Sequence, residues 1–215
     1  MQELVNVTAI VLSATPVGEY DKRVVLLTKE RGKITAFARG SRRQNSKLIA
    51  ATNLFAFGEF KLYPGRNSYT LTDAHIQNYF EELRIDFEGA YYGMFFLEVC
   101  DYYTRENNDE KEMLKLLYQS LKALSVKSLH RKLVQCVFEM KALVINGEFP
   151  GMPKEGKWQE STEFAINYIM SSTIEKLYTF TVSESVLNEL IWISERYRLR
   201  YIDREFKSLE MLSVL

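Results

Sequence analysis

Residues 20–48 read YDKRVVLLTKERGKITAFARGSRRQNSKL, and two properties of this stretch organise the rest of the chain. Residues 24–28 and 33–39 are short β-type runs separated by Lys29-Glu30-Arg31-Gly32, where the glycine supplies the positive φ that a tight hairpin loop requires. The stretch also carries nine cations (Lys22, Arg23, Lys29, Arg31, Lys33, Arg39, Arg42, Arg43 and Lys47) against two acids, Asp21 and Glu30. A β-ribbon and exit loop with so much charge of one sign has the pattern of a surface that attracts a polyanion.

Outward from the hairpin, residues 3–17 contain the β-branched run VNVTAIVL, closed by Pro16 and Gly18, and form strand one. Residues 54–63 alternate as strand four, with Gly58 marking a bulge or bend in mid-strand. Pro64-Gly65-Arg66-Asn67 is a turn, and residues 68–72 make strand five. Between strands three and four, Asn45 or Ser46 can cap a short helix through Ala51. Five short strands with a small helix after the third predict an OB-type Greek-key barrel, and a split sandwich of the same strands is the alternative.

Lys33, Thr35, Phe37 and Arg39 share one parity of strand three, and Ile34, Ala36 and Ala38 the other. If the first set faces outward, an aromatic ring lies between cations, which suits a single-stranded nucleic acid. Phe37 taken alone is expected rather to fill the barrel. Arg42, Arg43 and Lys47 stand in a loop before a helix N-terminus, where charge and amide groups together can hold phosphate; a plain solvated loop competes with that role.

Beyond about residue 80 the apolar period changes from two to 3.6. Residues 87–103 carry Tyr92, Phe95, Phe96, Val99, Cys100 and Tyr103 on one stripe, so this helix is expected to be central and almost wholly buried, with Glu98 paired to an Arg or Tyr on a neighbour. Asp109 caps a helix with Met113, Leu117, Leu121 and Leu124 inward. Ser128 starts another, with Leu133, Val137, Met140 and Val144 inward, which Gly147 and Pro150 end. Residues 155–160 are polar linker, and residues 162–172 and 183–197 supply two more helices, the latter through Val186, Leu190, Trp192 and Ile193. Arg196, Arg198, Arg200 and Arg204, diluted by Glu195, Asp203 and Glu205, read as salt-bridged surface. The expected fold is therefore α+β in two domains: residues 1–79 as a five-stranded OB-fold barrel, and residues 80–215 as an all-α helical bundle.

The 215 residues are 47% hydrophobic, enough for a core, and the formal net charge of zero hides an excess of cations before residue 80 and of acids after it. The start, MQELVNVTAIVLSA, lacks the form of a signal peptide, and the longest apolar stretch, residues 90–103, is too short for a bilayer and is interrupted by Glu98 and Asp101, so a cytoplasmic protein is expected. Cys100 and Cys136 sit in apolar helical contexts as small hydrophobes. No phosphate-cradling glycine loop, serine elbow or zinc-protease helix is present, and His75 and His130 lack companions at ligand spacing. A binding protein without cofactor or metal is expected.

GEYDKRVVLLTKERGKITAFARGSRRQNSKL resembles the signature region of the bacterial RecO family of recombination mediators. The resemblance continues through FGEFKLYPGRNSYTLTDA, more loosely through FLEV and FEMKALVINGEFP, and ends in FKSLEML. It implies an OB barrel followed by a helical domain. It also implies a non-enzymatic, nucleoid-associated protein of RecF-pathway repair that binds single- and double-stranded DNA and anneals complementary strands. Such a protein engages the acidic tail of single-strand-binding protein and works with RecR to load RecA. Many members carry a four-cysteine zinc module after the segment matching Gly147 to Pro150, whereas GMPKEGKWQES here has no cysteine, so zinc is not expected.

On this basis Lys22, Arg23, Lys33, Arg39, Arg42, Arg43, Lys47 and Arg66 are the candidate track for DNA backbone, Arg66 lying in a turn that can border the barrel groove. Arg131 and Lys132, at the start of an amphipathic helix, are candidates to flank a groove for the acidic, Phe-ended tail. Two rivals stand beside this: an OB barrel serving RNA or a protein assembly, and a metal-dependent nuclease using Asp21, Glu30 or Glu98.

Overall fold

The computed structural model describes residues 3–214. Five strands, β1 (Val5–Val17), β2 (Asp21–Thr28), β3 (Gly32–Ala38), β4 (Phe57–Pro64) and β5 (Tyr69–Asn78), close into a barrel in the order β1-β2-β3-β5-β4. All pairings are antiparallel except β3 with β5. With a short helix α1 (Leu48–Ala51) between β3 and β4, this is the expected OB topology, and the open sandwich is excluded by closure.

Inward residues at period two build the barrel core: Val7, Ala9 and Val11 from β1, Val24 and Leu26 from β2, Ile34, Ala36 and Ala38 from β3, Phe60 and Leu62 from β4, and Leu71 from β5. Ile10, Leu12, Val25 and Leu27, of opposite parity, are buried too. Strands covered on both faces read as continuous apolar runs, which accounts for the weak alternation of VNVTAIVL.

Several strand boundaries differ from expectation: β1 begins at Val5 rather than residue 3, β2 begins at Asp21 rather than residue 24, and β4 and β5 differ as well. β4 begins at Phe57 rather than residue 54, because Phe55 adopts φ 71° and its amide donates to the Val11 carbonyl at 3.3 Å, ending the preceding turn. β5 runs on to Asn78 rather than stopping at Thr72. The register shifts between Lys61 and Leu62, which pair with Asp73 and Leu71, and this skips Thr72 and exchanges the inward parity, so that Ala74 and Ile76 continue the core side.

Helices follow: α2 (Glu81–Ile85), α3 (Phe87–Tyr103), α4 (Lys111–Leu124), α5 (Arg131–Ile145), α6 (Glu160–Ser171), α7 (Glu184–Tyr201) and α8 (Lys207–Leu212), with a 3-10 turn at Ile174–Lys176. The chain divides into two compact units. One takes the described residues through Glu81 together with Leu97–Leu114, and the other takes Glu82–Phe96 and Lys115 onward. In the first, the segment after α3 meets the hairpin tip: the Lys33 amide donates to the Arg105 carbonyl at 3.0 Å, and the Asn107 amide to the Arg31 carbonyl at 3.0 Å.

In the second unit α5 packs against α6 and α7, and Phe96 stacks on Phe138 with ring centroids 4.1 Å apart. α5 starts at Arg131 and not at Ser128. His130 is its N-cap, Nδ1 accepting from the Lys132 amide at 3.2 Å, a use of the lone histidine that ligand spacing does not suggest. Ser183 caps α7 through the Val186 amide, and α7 continues past residue 197 to Tyr201. Asp109 does accept from the Lys111 amide at 3.3 Å, and the Lys111 ammonium, then that bond, hold its carboxyl below the usual range. Glu139 on α5 and Glu110 just before α4 are buried carboxylates, whereas Glu98 is only half-buried. Cys100 and Cys136 are buried, and burial pushes both thiols well above their ordinary range. No described helix is long and apolar enough to cross a membrane.

Candidate nucleic-acid interface

Strand alternation sorts the cations of residues 20–48 onto different sides of the barrel wall. Arg23 stands opposite Phe37, Val25 opposite Thr35 and Leu27 opposite Lys33 in the β2–β3 register. Ile34, Ala36 and Ala38 are inside, so Lys33, Thr35 and Phe37 are on the outer side, each half-buried. Phe37 therefore does not fill the barrel; it lies across from Arg23, with exposed Arg39 following at the strand end. The β4–β5 turn reaches the same side. Arg23, Lys33, Thr35, Asn67, Ser68 and Tyr69 line a cavity of about 160 Å³ beside exposed Arg66, with Asp101 and Glu106 completing its wall.

Lys33 is engaged there. Its Nζ donates to the carbonyl and, at 3.0 Å, to the Oδ1 of Asp101, tying the strand to the end of α3.

Lys22 has the parity of Val24 and Leu26 and turns away from Arg23. Its Nζ donates at 3.1 Å to Oγ1 of Thr52, the C-cap of α1. Burial, and then the neighbouring Arg42 charge, hold its pKa below the usual lysine value. Arg42 fastens the β1–β2 turn: its guanidinium donates to the Gly18 and Glu19 carbonyls at 3.2 and 3.1 Å, and its amide to the Tyr20 carbonyl at 2.8 Å. The Arg43 guanidinium lies 5.0 Å from the Tyr20 ring centroid. Lys47 occupies the position before α1, and Ser46 Oγ accepts from the Leu48 amide at 3.3 Å.

The eight candidates thus form two groups. Arg23, Lys33, Arg39 and Arg66 gather around the outer β2–β3 face. Lys22, at the start of β2, lies toward Arg42, Arg43 and Lys47 of the loop leading into α1. The two acids of the stretch are spent on backbone: Asp21 accepts from the Gly40 amide at 2.7 Å, and Glu30 from the Thr8 amide at 2.9 Å. They lie at opposite ends of the β2 hairpin arm, and among the described residues no three His, Cys, Asp or Glu side chains converge as a metal site. The contributions of Tyr20, Asn67, Ser68, Asp101 and Glu106 are not legible in the stretch itself, since the last four come from residues distant in the chain.

In the helical unit Arg131 is bound by Asp86 and Glu88, and Lys132 Nζ lies 5.7 Å from the Tyr92 ring centroid. Burial pushes the Tyr92 hydroxyl up to about 12. The cleft beside Arg131, about 840 Å³, is lined by Leu83, Ile85 and Leu129 together with Glu82, Asp86 and Glu88.

The fold and its charge distribution define an OB-barrel protein with an attached helical unit, cationic on the barrel face and turns that OB folds use for oligomeric ligands. Comparison with known proteins agrees. Residues 1–80 match the family described as Recombination protein O N terminal, and residues 84–155 the one described as Recombination protein O C terminal. The chain is 28% identical to DNA repair protein RecO of Acetivibrio thermocellus over 97% of this chain and 96% of that one. It is 25% identical to that of Alkaliphilus metalliredigens over 97% and 98%, and 34% identical to that of Symbiobacterium thermophilum over 69% and 59%. The chain belongs to the RecO family of DNA repair and recombination proteins.

Proposed function

We propose that this protein binds single- and double-stranded DNA through the outer β2–β3 face and adjoining turns of its barrel, and anneals complementary strands. The observation that carries the proposal is the juxtaposition of Arg23 with Phe37, extended by Arg39 and by Arg66 in the β4–β5 turn. Cations spaced around an accessible ring can follow a phosphate backbone while the ring stacks on a base. Exposed Arg42, Arg43 and Lys47 extend the positive field, and Lys22 and Lys33 support the framework that displays it. Annealing requires no covalent step: neutralising two backbones removes their repulsion and leaves base edges free to pair.

Family membership supports a mediator role, in which the protein works with RecR and single-strand-binding protein to assist RecA loading. Docking of the acidic tail at Arg131 and Lys132 requires that tail to compete with Asp86 and Glu88 for the guanidinium. A tail peptide that binds Arg131→Glu/Lys132→Glu as well as wild type removes these residues from the docking role.

The DNA reading is tested by salt-titrated binding of wild type beside Arg23→Glu/Arg39→Glu. With about five phosphates neutralised, log affinity falls against log salt at roughly −3.5 for single strands and −4.5 for duplex. The double variant loses about 1.4 of the single-strand slope, two contacts' worth. Equal affinity and slope in the variant reject the barrel face as the site.

A further inference from the structure

Helix α7 carries an aromatic and cationic face that the barrel proposal does not use. Trp192, Arg196 and Arg200 stand at i, i+4 and i+8, so they line up along one side, and all three are exposed. The Arg196 guanidinium lies 5.0 Å from the Trp192 ring centroid, and that of Arg200 lies 5.5 Å from the Tyr201 ring centroid. Trp192 is 44% exposed and the adjacent Leu199 80%. Arg198, by contrast, turns inward to Glu139.

A loop is folded onto this face. The Trp158 and Trp192 rings are 5.3 Å apart, Glu155 meets Arg196 at 2.6 Å, and the Tyr197 hydroxyl donates to the Gly151 carbonyl at 2.7 Å. The Trp158 indole N–H is spent on the Pro153 carbonyl at 3.1 Å, which holds the loop in shape. Exposed Lys154 and Lys157 flank Glu155 in that loop. Four cations, Lys154, Lys157, Arg196 and Arg200, stand here with three acids: Glu155, bound to Arg196, Glu189, bound to Gln159 and Thr162, and Glu195.

We propose that this face of α7, with the loop carrying Lys154 to Trp158, is a second contact for single-stranded nucleic acid. Guanidinium groups within about 6 Å of ring centroids are attracted to those rings before any ligand arrives, and guanidinium and indole alike offer planes on which bases stack. The lysines and the outer guanidinium N–H groups supply phosphate partners. An acidic peptide would use the cations but leave the planar surfaces uncovered, so a strand of nucleotides is the better match. The inference shares its ligand class with the barrel proposal and is otherwise independent of it. It supplies annealing with a place for a second strand.

Trp158 and Trp192 are the two tryptophans of the chain, so intrinsic emission reports on this face. The experiment titrates a short oligothymidylate into the full-length protein, following tryptophan emission and, in parallel, anisotropy of a labelled oligonucleotide. It compares wild type, Arg23→Glu/Arg39→Glu and Arg196→Glu/Arg200→Glu. Expected is a saturable emission change that persists in the barrel variant and whose midpoint moves about tenfold to higher concentration in the α7 variant. Silent emission while anisotropy reports bound DNA overturns the α7 site and leaves the barrel proposal standing. An emission change that disappears with the barrel variant, or is unweakened in the α7 variant, also overturns it. Unchanged anisotropy in the barrel variant with a retained emission change rejects the barrel site and supports this one. Absence of both signals in wild type rejects both. Single Arg200→Gln, at an exposed helix position, repeats the comparison should the double reversal disturb folding.

Discussion

A cation's position along this chain says little about its task; its parity and its neighbours decide. Lys22 and Arg23 are adjacent, yet one caps α1 through Thr52 and the other faces outward opposite Phe37. Arg39→Glu is therefore expected to weaken oligonucleotide binding about tenfold with an unchanged melting temperature. Lys22→Ala lowers the melting temperature with little effect on affinity. Anisotropy and thermal melts on the same two variants check both outcomes. Deeper in the helical unit, Glu139 accepts from Arg198 at 2.8 Å, from Gln135 at 2.8 Å and from the Ser194 hydroxyl, with both charged side chains largely buried. Glu139→Leu strands the Arg198 charge and costs about 3–5 kcal/mol in urea unfolding. Adding Arg198→Met to that variant recovers most of the loss, because two apolar side chains of similar volume no longer carry an unpaired charge.

Among the elements, two junctions are held by groups that no periodicity announces. Lys141 on α5 is buried, and its Nζ donates to the carbonyls of Ile169, Met170 and Ser172 at 3.1, 3.0 and 2.8 Å, closing the C-terminal end of α6. Lys141→Met leaves those acceptors dry and costs about 2–3 kcal/mol by chemical denaturation. At the hairpin tip Gly32 has φ +66°, and a Cβ there would lie 2.2 Å from the Arg105 carbonyl oxygen. Gly32→Ala is expected to cost about 2 kcal/mol or more, since both backbone conformation and space oppose it. A third junction is sensitive to acid. Glu189 of α7 accepts from the Thr162 hydroxyl and from the Gln159 side chain and amide, each of the latter at 3.2 Å; the Thr162 bond first, and then those from Gln159, hold its carboxyl below the usual range. A depressed folded value stabilises above the ordinary glutamate pKa of about 4.3, and that stabilisation is lost as pH falls through the folded value. Glu189→Gln accordingly flattens the acid limb of a stability–pH curve.

For the whole molecule, a net charge of zero means that any attraction to a polyanion is local. The expected signature is a steep salt dependence from a protein with no overall charge: single-strand affinity falls roughly a hundredfold between 50 and 200 mM salt at a slope near −3.5. Titrations at four salt concentrations check it, and a flat response rejects a charge-driven interface.

The barrel was legible because alternation in residues 33–39, the apolar run of residues 24–28, a glycine in the right turn and an early β-branched run are local signals. Where the sequence misled, the cause was specific. The bulge that skips Thr72 broke the period of β5, and the outward position of Phe37 followed from a half-buried outer face that alternation cannot distinguish from a core. The candidate site was legible in the sequence only as a concentration of charge. Nine cations in one stretch mark a positive surface, but their division into two groups depends on Asp101, Thr52 and the Gly18–Tyr20 carbonyls, none of which belong to the hairpin strands.

By itself the chain determined the order of its strands and helices, the concentration of positive charge at its front, and the identity of most inward side chains. These follow from periodicity and turn chemistry, which act over a few residues. Only the tertiary structure decided which lysines and arginines are spent as internal fastenings and which face solvent, and it alone brought Trp158 to Trp192. Hydrogen bonds and ring contacts between distant segments depend on closure of the barrel and packing of the helices, and such closure leaves no periodic trace in sequence.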